Sequence, residues 1–117
     1  MIILLLLLDG VRKEYDFEAN SGIKIGSSRI CDVVVPDIDK IHCTLVLFYE
    51  DSFYYLLFDG EILGNPSGNG VWVNNKRIFS KCKVKDRDVV TFFENSIYPH
   101  LILFPDGIPT ECKINEI

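Results

Sequence analysis

Turn-forming residues interrupt this chain so often that no ordinary helix fits between them. The breaks fall at Asp9-Gly10, Asn20-Ser21-Gly22, Gly26-Ser27-Ser28, Pro36-Asp37, Glu50-Asp51-Ser52, Asp59-Gly60, Gly64 to Gly70, Asn74-Asn75, Asp86 to Asp88 and Pro105-Asp106-Gly107. No unbroken stretch of about a dozen residues keeps a 3.6-residue apolar period. The intervening runs of roughly four to eight residues have the length of strands. They draw on 14 Ile, 10 Val and 13 Phe and Tyr, against a single Ala, Ala19. Branched and aromatic side chains suit a pleated surface, whereas Ala favours helix. Strands are therefore predicted near 2–8, 12–17, 23–26, 32–35, 43–49, 53–58, 70–73, 76–78, 81–84, 88–93 and 97–104. Leu45, Leu47 and Tyr49 point one way and Val46 and Phe48 the other, which predicts a strand covered on both faces. Val71 and Val73 likewise oppose Trp72. Many short strands with tight turns imply two packed antiparallel sheets, with function in the connecting loops.

The length of 117 residues suits one domain, 1–117, with a core at about 2–104 and a C-terminal extension at 105–117. Within that extension, Thr110 to Ile117 is expected to form a last short strand or a loose end. A hydrophobic share of 48% with 25% charged residues excludes a disordered chain. The opening Met1 to Leu8 lacks a positive flank and falls far short of the ~20 residues of a membrane span. It reads as a deeply buried first strand, so no membrane is expected and the cytoplasm or nucleus is the expected location. The net charge of −5 disfavours general nucleic-acid binding, which needs a surplus of Lys and Arg, and no basic run stands out.

Cys31, Cys43, Cys82 and Cys112 lack the close spacing of a zinc site, so reduced, mostly buried thiols and no metal or cofactor are expected. No Gly-x-Ser-x-Gly nucleophile elbow occurs. The glycine-rich Gly64 to Gly70 is not followed by the Lys-Ser/Thr of a phosphate-cradling loop. Carboxylates are plentiful, and the ordinary reading of such charges is a solvated face. No group is nominated as catalytic, and the chain is expected not to be an enzyme.

Four motifs remain, in order. They are Ile25-Gly26-Ser27-Ser28-Arg29-Ile30-Cys31-Asp32-Val33, Pro36-Asp37-Ile38-Asp39-Lys40-Ile41-His42-Cys43, Ser67-Gly68-Asn69-Gly70-Val71-Trp72-Val73-Asn74-Asn75-Lys76-Arg77-Ile78, and Val84-Lys85-Asp86-Arg87-Asp88-Val89-Val90-Thr91-Phe92. In this order and spacing the sequence resembles the forkhead-associated (FHA) domain family. That family's pattern runs Ile-Gly-Arg, Cys-Asp, Ser-x-x-His, Asn-Gly-Thr-x-x-Asn and Gly-Asp. The resemblance covers nearly the whole chain to about Phe104. It implies an all-β, eleven-stranded two-sheet sandwich of the FHA/SMAD-like kind, whose loops at one end bind a phosphothreonine peptide of a partner protein in signalling or nuclear processes.

Carried over residue by residue, the resemblance places Ser27, Ser28, Arg29, Asp39, Lys40, Gly68 and Asn69 in the phosphopeptide site. It makes Gly26, His42, Gly70 and Asn74 braces of the binding loops, and Trp72, Phe92 and Cys43 parts of the core. The chain departs from the pattern where Ser27 replaces the family Arg, Asp39 the family Ser and Val71 the usual Thr. Losing the guanidinium removes the strongest donor, and a carboxylate at the Ser position repels phosphate. Lys40 keeps the basic position as a point charge. Arg29 either swings in from the same loop or is a solvated charge, and Asp39 is expected to be bridged by Lys40 or Arg29. Residues Asp59 to Pro66 form extra loop. The alternative reading is a degenerate module that binds partners, or a second copy of itself, without phosphate.

Overall fold

The structure, a computed structural model, describes residues 1–18, 22–62 and 64–107. Eleven strands form, and no helix occurs among the described residues. They are β1 (Ile2–Leu6), β2 (Arg12–Asp16), β3 (Ile23–Gly26), β4 (Val33–Val34), β5 (Cys43–Glu50), β6 (Ser52–Asp59), β7 (Val71–Val73), β8 (Lys76–Ile78), β9 (Lys81–Lys83), β10 (Asp88–Phe93) and β11 (Ser96–Phe104). A six-stranded sheet runs β2-β1-β11-β10-β7-β8 and a five-stranded sheet runs β4-β3-β5-β6-β9. All neighbours are antiparallel except β3 and β4. The expected all-β sandwich is thus the observed one. The stretch 110–117 and Cys112 lie outside the described residues.

Alternation builds the core between the sheets. Ile3, Leu5, Val90, Phe92, Leu101 and Leu103 from one sheet meet Ile23, Ile25, Leu45 and Leu57 from the other, all at most 1% exposed. The opening leucine run is explained by β1 being apolar on both faces. Its alternate residue Leu4 joins Phe104, Ile2, Leu6 and Ile102 in a second cluster. The strand stops at Leu6, where Gly10 N–H and Leu7 C=O close a turn, and Leu8 is left exposed.

Two expectations about packing change. β5 is not covered along its whole length, since Tyr49 is 67% exposed and Phe53 opposite it 69%. Burial falls away towards the Asp51 turn on both strands, so the distal half of this hairpin outruns the opposing sheet. Trp72 does not fill the core either. Val71 and Val73 take the inner face of β7, and period-two alternation turns the indole outward, where Arg77 lies 5.4 Å from its ring centre. Cys43 and Phe92 are buried as expected.

Candidate functional site

The loops after β3 and before β5 meet at one end of the sandwich because β3 and β5 are paired neighbours, and the loop before β7, from the other sheet, joins them through hydrogen bonds to His42 and Asp39. Backbone hydrogen bonds stitch the first two loops together, Ser27 N–H to Asp39 C=O at 2.9 Å and Ser28 N–H to Lys40 C=O at 3.2 Å. Gly26 is required by this approach, as a Cβ there would lie 2.1 Å from the Lys40 carbonyl oxygen. The Cys31 thiol donates to that same carbonyl at 3.1 Å, and burial raises its pKa above the ordinary thiol value. Cys43, wholly enclosed at the start of β5, is pushed up further by desolvation, with the Asp59 carboxylate adding to the shift.

His42 ties the loop before β5 to the loop before β7. It is fully buried; its Nδ1 accepts the Asp39 N–H at 3.1 Å and its Nε2 donates to the Gly70 carbonyl at 2.7 Å. A ring accepting at Nδ1 carries its proton on Nε2, so these two bonds specify the neutral tautomer. Phe92 meets the imidazole edge-on at 5.0 Å. Gly70 holds φ at +89°, in the left-handed region that suits glycine. Every ring nitrogen of His42 is committed to the scaffold, which leaves it no proton to transfer.

Asp39 makes contacts that the sequence does not suggest. Neither Lys40 nor Arg29 forms an ion pair with it, and both project into solvent. Its carboxylate instead reaches across to the loop before β7. Oδ2 accepts the Gly68 backbone N–H, and Oδ1 accepts the Asn69 side-chain amide at 2.7 Å. Gly68 and Asn69, both of which the resemblance assigns to peptide binding, therefore serve an anion built into the chain.

The remaining predicted residues divide. Ser27 and Ser28 are half-buried on the rim, the Ser28 hydroxyl accepting the Ile30 N–H at 3.3 Å. Ser27, Ser28, Arg29, Asp39, Lys40, Gly68 and Asn69 all lie on the converging loops. Asn74 does not, because β7 runs away from the rim before reaching it. At that far end its amide donates to Asp88 at 2.9 Å and its carbonyl oxygen accepts the Val89 N–H at 2.9 Å, fastening the β7–β8 turn to β10.

Sequence reasoning also passed over Asp59 and Ser67. Asp59 accepts both the N–H and the hydroxyl of Ser67, at 3.0 and 2.5 Å, and the Ser67 oxygen accepts Gly70 N–H at 2.9 Å. This pair folds the extra loop back so that Gly68 and Asn69 face Asp39. The only sequence signal was an Asp at the end of a strand and a Ser just ahead of Gly-Asn-Gly.

A family model described as the FHA domain matches residues 23–93. No curated protein matches the sequence significantly. Among solved structures, the chain is similar to the FHA domain of the CT664 protein from Chlamydia trachomatis, at 21% identity over 92% of this chain and 97% of that one, with a TM-score of 0.71. The yeast splicing factor Pml1 matches at 19% identity, 88% and 77% coverage and a TM-score of 0.73. The MEK1 FHA domain, solved with a phosphothreonine peptide of HOP1, matches at 18% identity, 90% and 97% coverage and a TM-score of 0.64.

Proposed function

The chain belongs to the FHA domain family, and on that footing we propose that it is a non-enzymatic protein-interaction module whose loop rim docks a partner protein without reading a phosphate. The observation that carries this is the Asp39 carboxylate held between Gly68 and Asn69. A phosphoryl group carries −1.5 to −2 charges at neutral pH. Two unit charges about 4 Å apart repel by about 4 kcal/mol at an effective dielectric of 20; the second charge of a phosphate raises this figure and solvent at the rim lowers it. Lys40 and Arg29 are exposed cations that form no ion pair at the Asp39 clamp, and at the position where the family guanidinium would outweigh the repulsion the chain has Ser27.

The phosphothreonine reading expected from the resemblance draws support from relatives such as the MEK1 domain, solved with such a peptide. It also draws on Lys40, Arg29, Ser27 and Ser28 sharing the rim. One binding experiment separates the two. Fluorescence polarisation with a phosphothreonine peptide library and its unphosphorylated counterparts is expected to show no preference for the phosphorylated set. A preference of about tenfold or more, about 1.4 kcal/mol, refutes the proposal and restores phosphate reading. The double variant Ser27→Arg, Asp39→Ser restores the family donors and is expected to acquire that preference.

A further inference from the structure

From Ile62 to Lys85 the chain carries Lys76, Arg77, Lys81, Lys83 and Lys85 and no Asp or Glu. The other residues hold seven basic side chains against all 17 acidic ones. The basic residues are spaced by apolar ones, so no run of charge is visible along the sequence. The fold gathers them. β8 ends the six-stranded sheet and β9 ends the five-stranded sheet, and the short link through Phe79 and Ser80 sets both at the same flank of the sandwich.

All four cation–ring contacts among the described residues lie on this flank. The Arg77 guanidinium carbon sits 5.4 Å from the Trp72 ring centre and 5.3 Å from that of Phe79. Lys83 lies 4.8 Å from the Tyr54 ring and Lys81 lies 6.0 Å from that of Phe58. Phe48 spaces these two rings, at 6.1 Å from Tyr54 and 6.5 Å from Phe58, and makes an aromatic ladder on the outer face of β5 and β6. Phe79 is 77% exposed. The flank begins at the rim, where Arg77 would stand 3.0 Å from a Cβ on Gly70, and runs away from it along β8 and β9.

We infer that this flank is a second docking surface, distinct from the Asp39 rim, for an extended acidic peptide segment of a partner protein. Lysines on edge strands also deter edge-to-edge pairing, and that role alone needs only charge. Here Arg77, Lys81 and Lys83 are held over rings, which limits the side-chain freedom lost when a carboxylate arrives. The five cations outnumber the Glu50 carboxylate, which accepts the Tyr54 hydroxyl at 3.4 Å beside Lys83, so charge complementarity favours an acidic ligand. β9 is hydrogen-bonded to β6 alone and β8 to β7 alone among the described strands, so each offers an edge that a polypeptide backbone can join. A nucleic acid lacks the alternating peptide N–H and C=O groups needed to join such edges.

The test is a titration of the full isotope-labelled chain with a twelve-residue peptide of alternating Glu and Thr, followed by NMR, beside a Gln and Thr control. Shifts are expected at the Trp72 indole and the amides of 76–83, with affinity falling about tenfold between 50 and 300 mM salt. Lys81→Glu with Lys83→Glu is expected to weaken binding about tenfold or more, while Lys81→Arg with Lys83→Arg retains it. Asp39→Ala, which disturbs the rim, is expected to leave it unchanged, so the two surfaces succeed or fail separately. The inference is overturned by an unshifted flank at millimolar peptide, by shifts confined to the rim, by equal binding of the Gln control, or by tighter binding of oligothymidylate than of the acidic peptide.

Discussion

Replacing Asp39 with Ala removes both bonds that close the rim, and the cost follows from their geometry. Hydrogen bonds to an ionised group contribute about 1.5–3 kcal/mol each when shielded from water. The Asp39 side chain is 24% exposed, and Gly68 and Asn69 both lie at the surface, so screening reduces the pair to about 2 kcal/mol in total. Urea denaturation is expected to show a stability loss of that size with an unchanged slope, and heating to show a midpoint lowered by about 5–10 °C. Hydrogen exchange at the Gly68 amide, which donates directly to Oδ2, is expected to accelerate at least about tenfold. A double-mutant cycle with Asn69→Ala isolates the 2.7 Å bond and is expected to return a coupling of about 1 kcal/mol. Additive losses together with an unaltered exchange rate at Gly68 would refute the clamp. They would also remove the argument that the rim carries its own anion.

Two other substitutions test the scaffold. Gly26→Ala places a methyl group against the Lys40 carbonyl and is expected to cost about 3 kcal/mol or more by chemical denaturation, whereas a loss under about 1 kcal/mol would mean that the two loops do not approach as described. Tyr55→Phe removes a buried hydroxyl without a hydrogen-bond partner, and calorimetry is expected to show a midpoint unchanged or raised by a few degrees; a clear loss would reveal a partner for that oxygen.

Strands and turns were legible because both depend on neighbours in sequence. The alternation of Val71, Trp72 and Val73 determined which residues share a face, and the Asp-Gly and Asn-Asn pairs marked reversals that left-handed backbone accepts. The same alternation leaves open which face is buried and how far a hairpin reaches. Trp72 stands outside and Tyr49 projects past the core because the opposing sheet ends where it does. The core positions of Cys43 and Phe92 were legible too, each on a strand rich in branched or aromatic residues.

The candidate site shows the boundary most clearly. Local sequence placed Ser27, Asp39, Lys40 and Asn69 on loops, and the spacing of the motifs pointed to one shared rim. Electrostatic reasoning from the sequence then paired Asp39 with Lys40 beside it or Arg29 of the preceding loop. The carboxylate instead chose two donors 29 and 30 residues away, because Asp59, Ser67 and His42 hold that distant loop within hydrogen-bond reach. Likewise, five separated basic residues become one charged flank when two sheet edges end side by side. Periodicity is written along the chain and decides its strands; proximity between loops is set by packing, and with it which donor each acidic side chain finds.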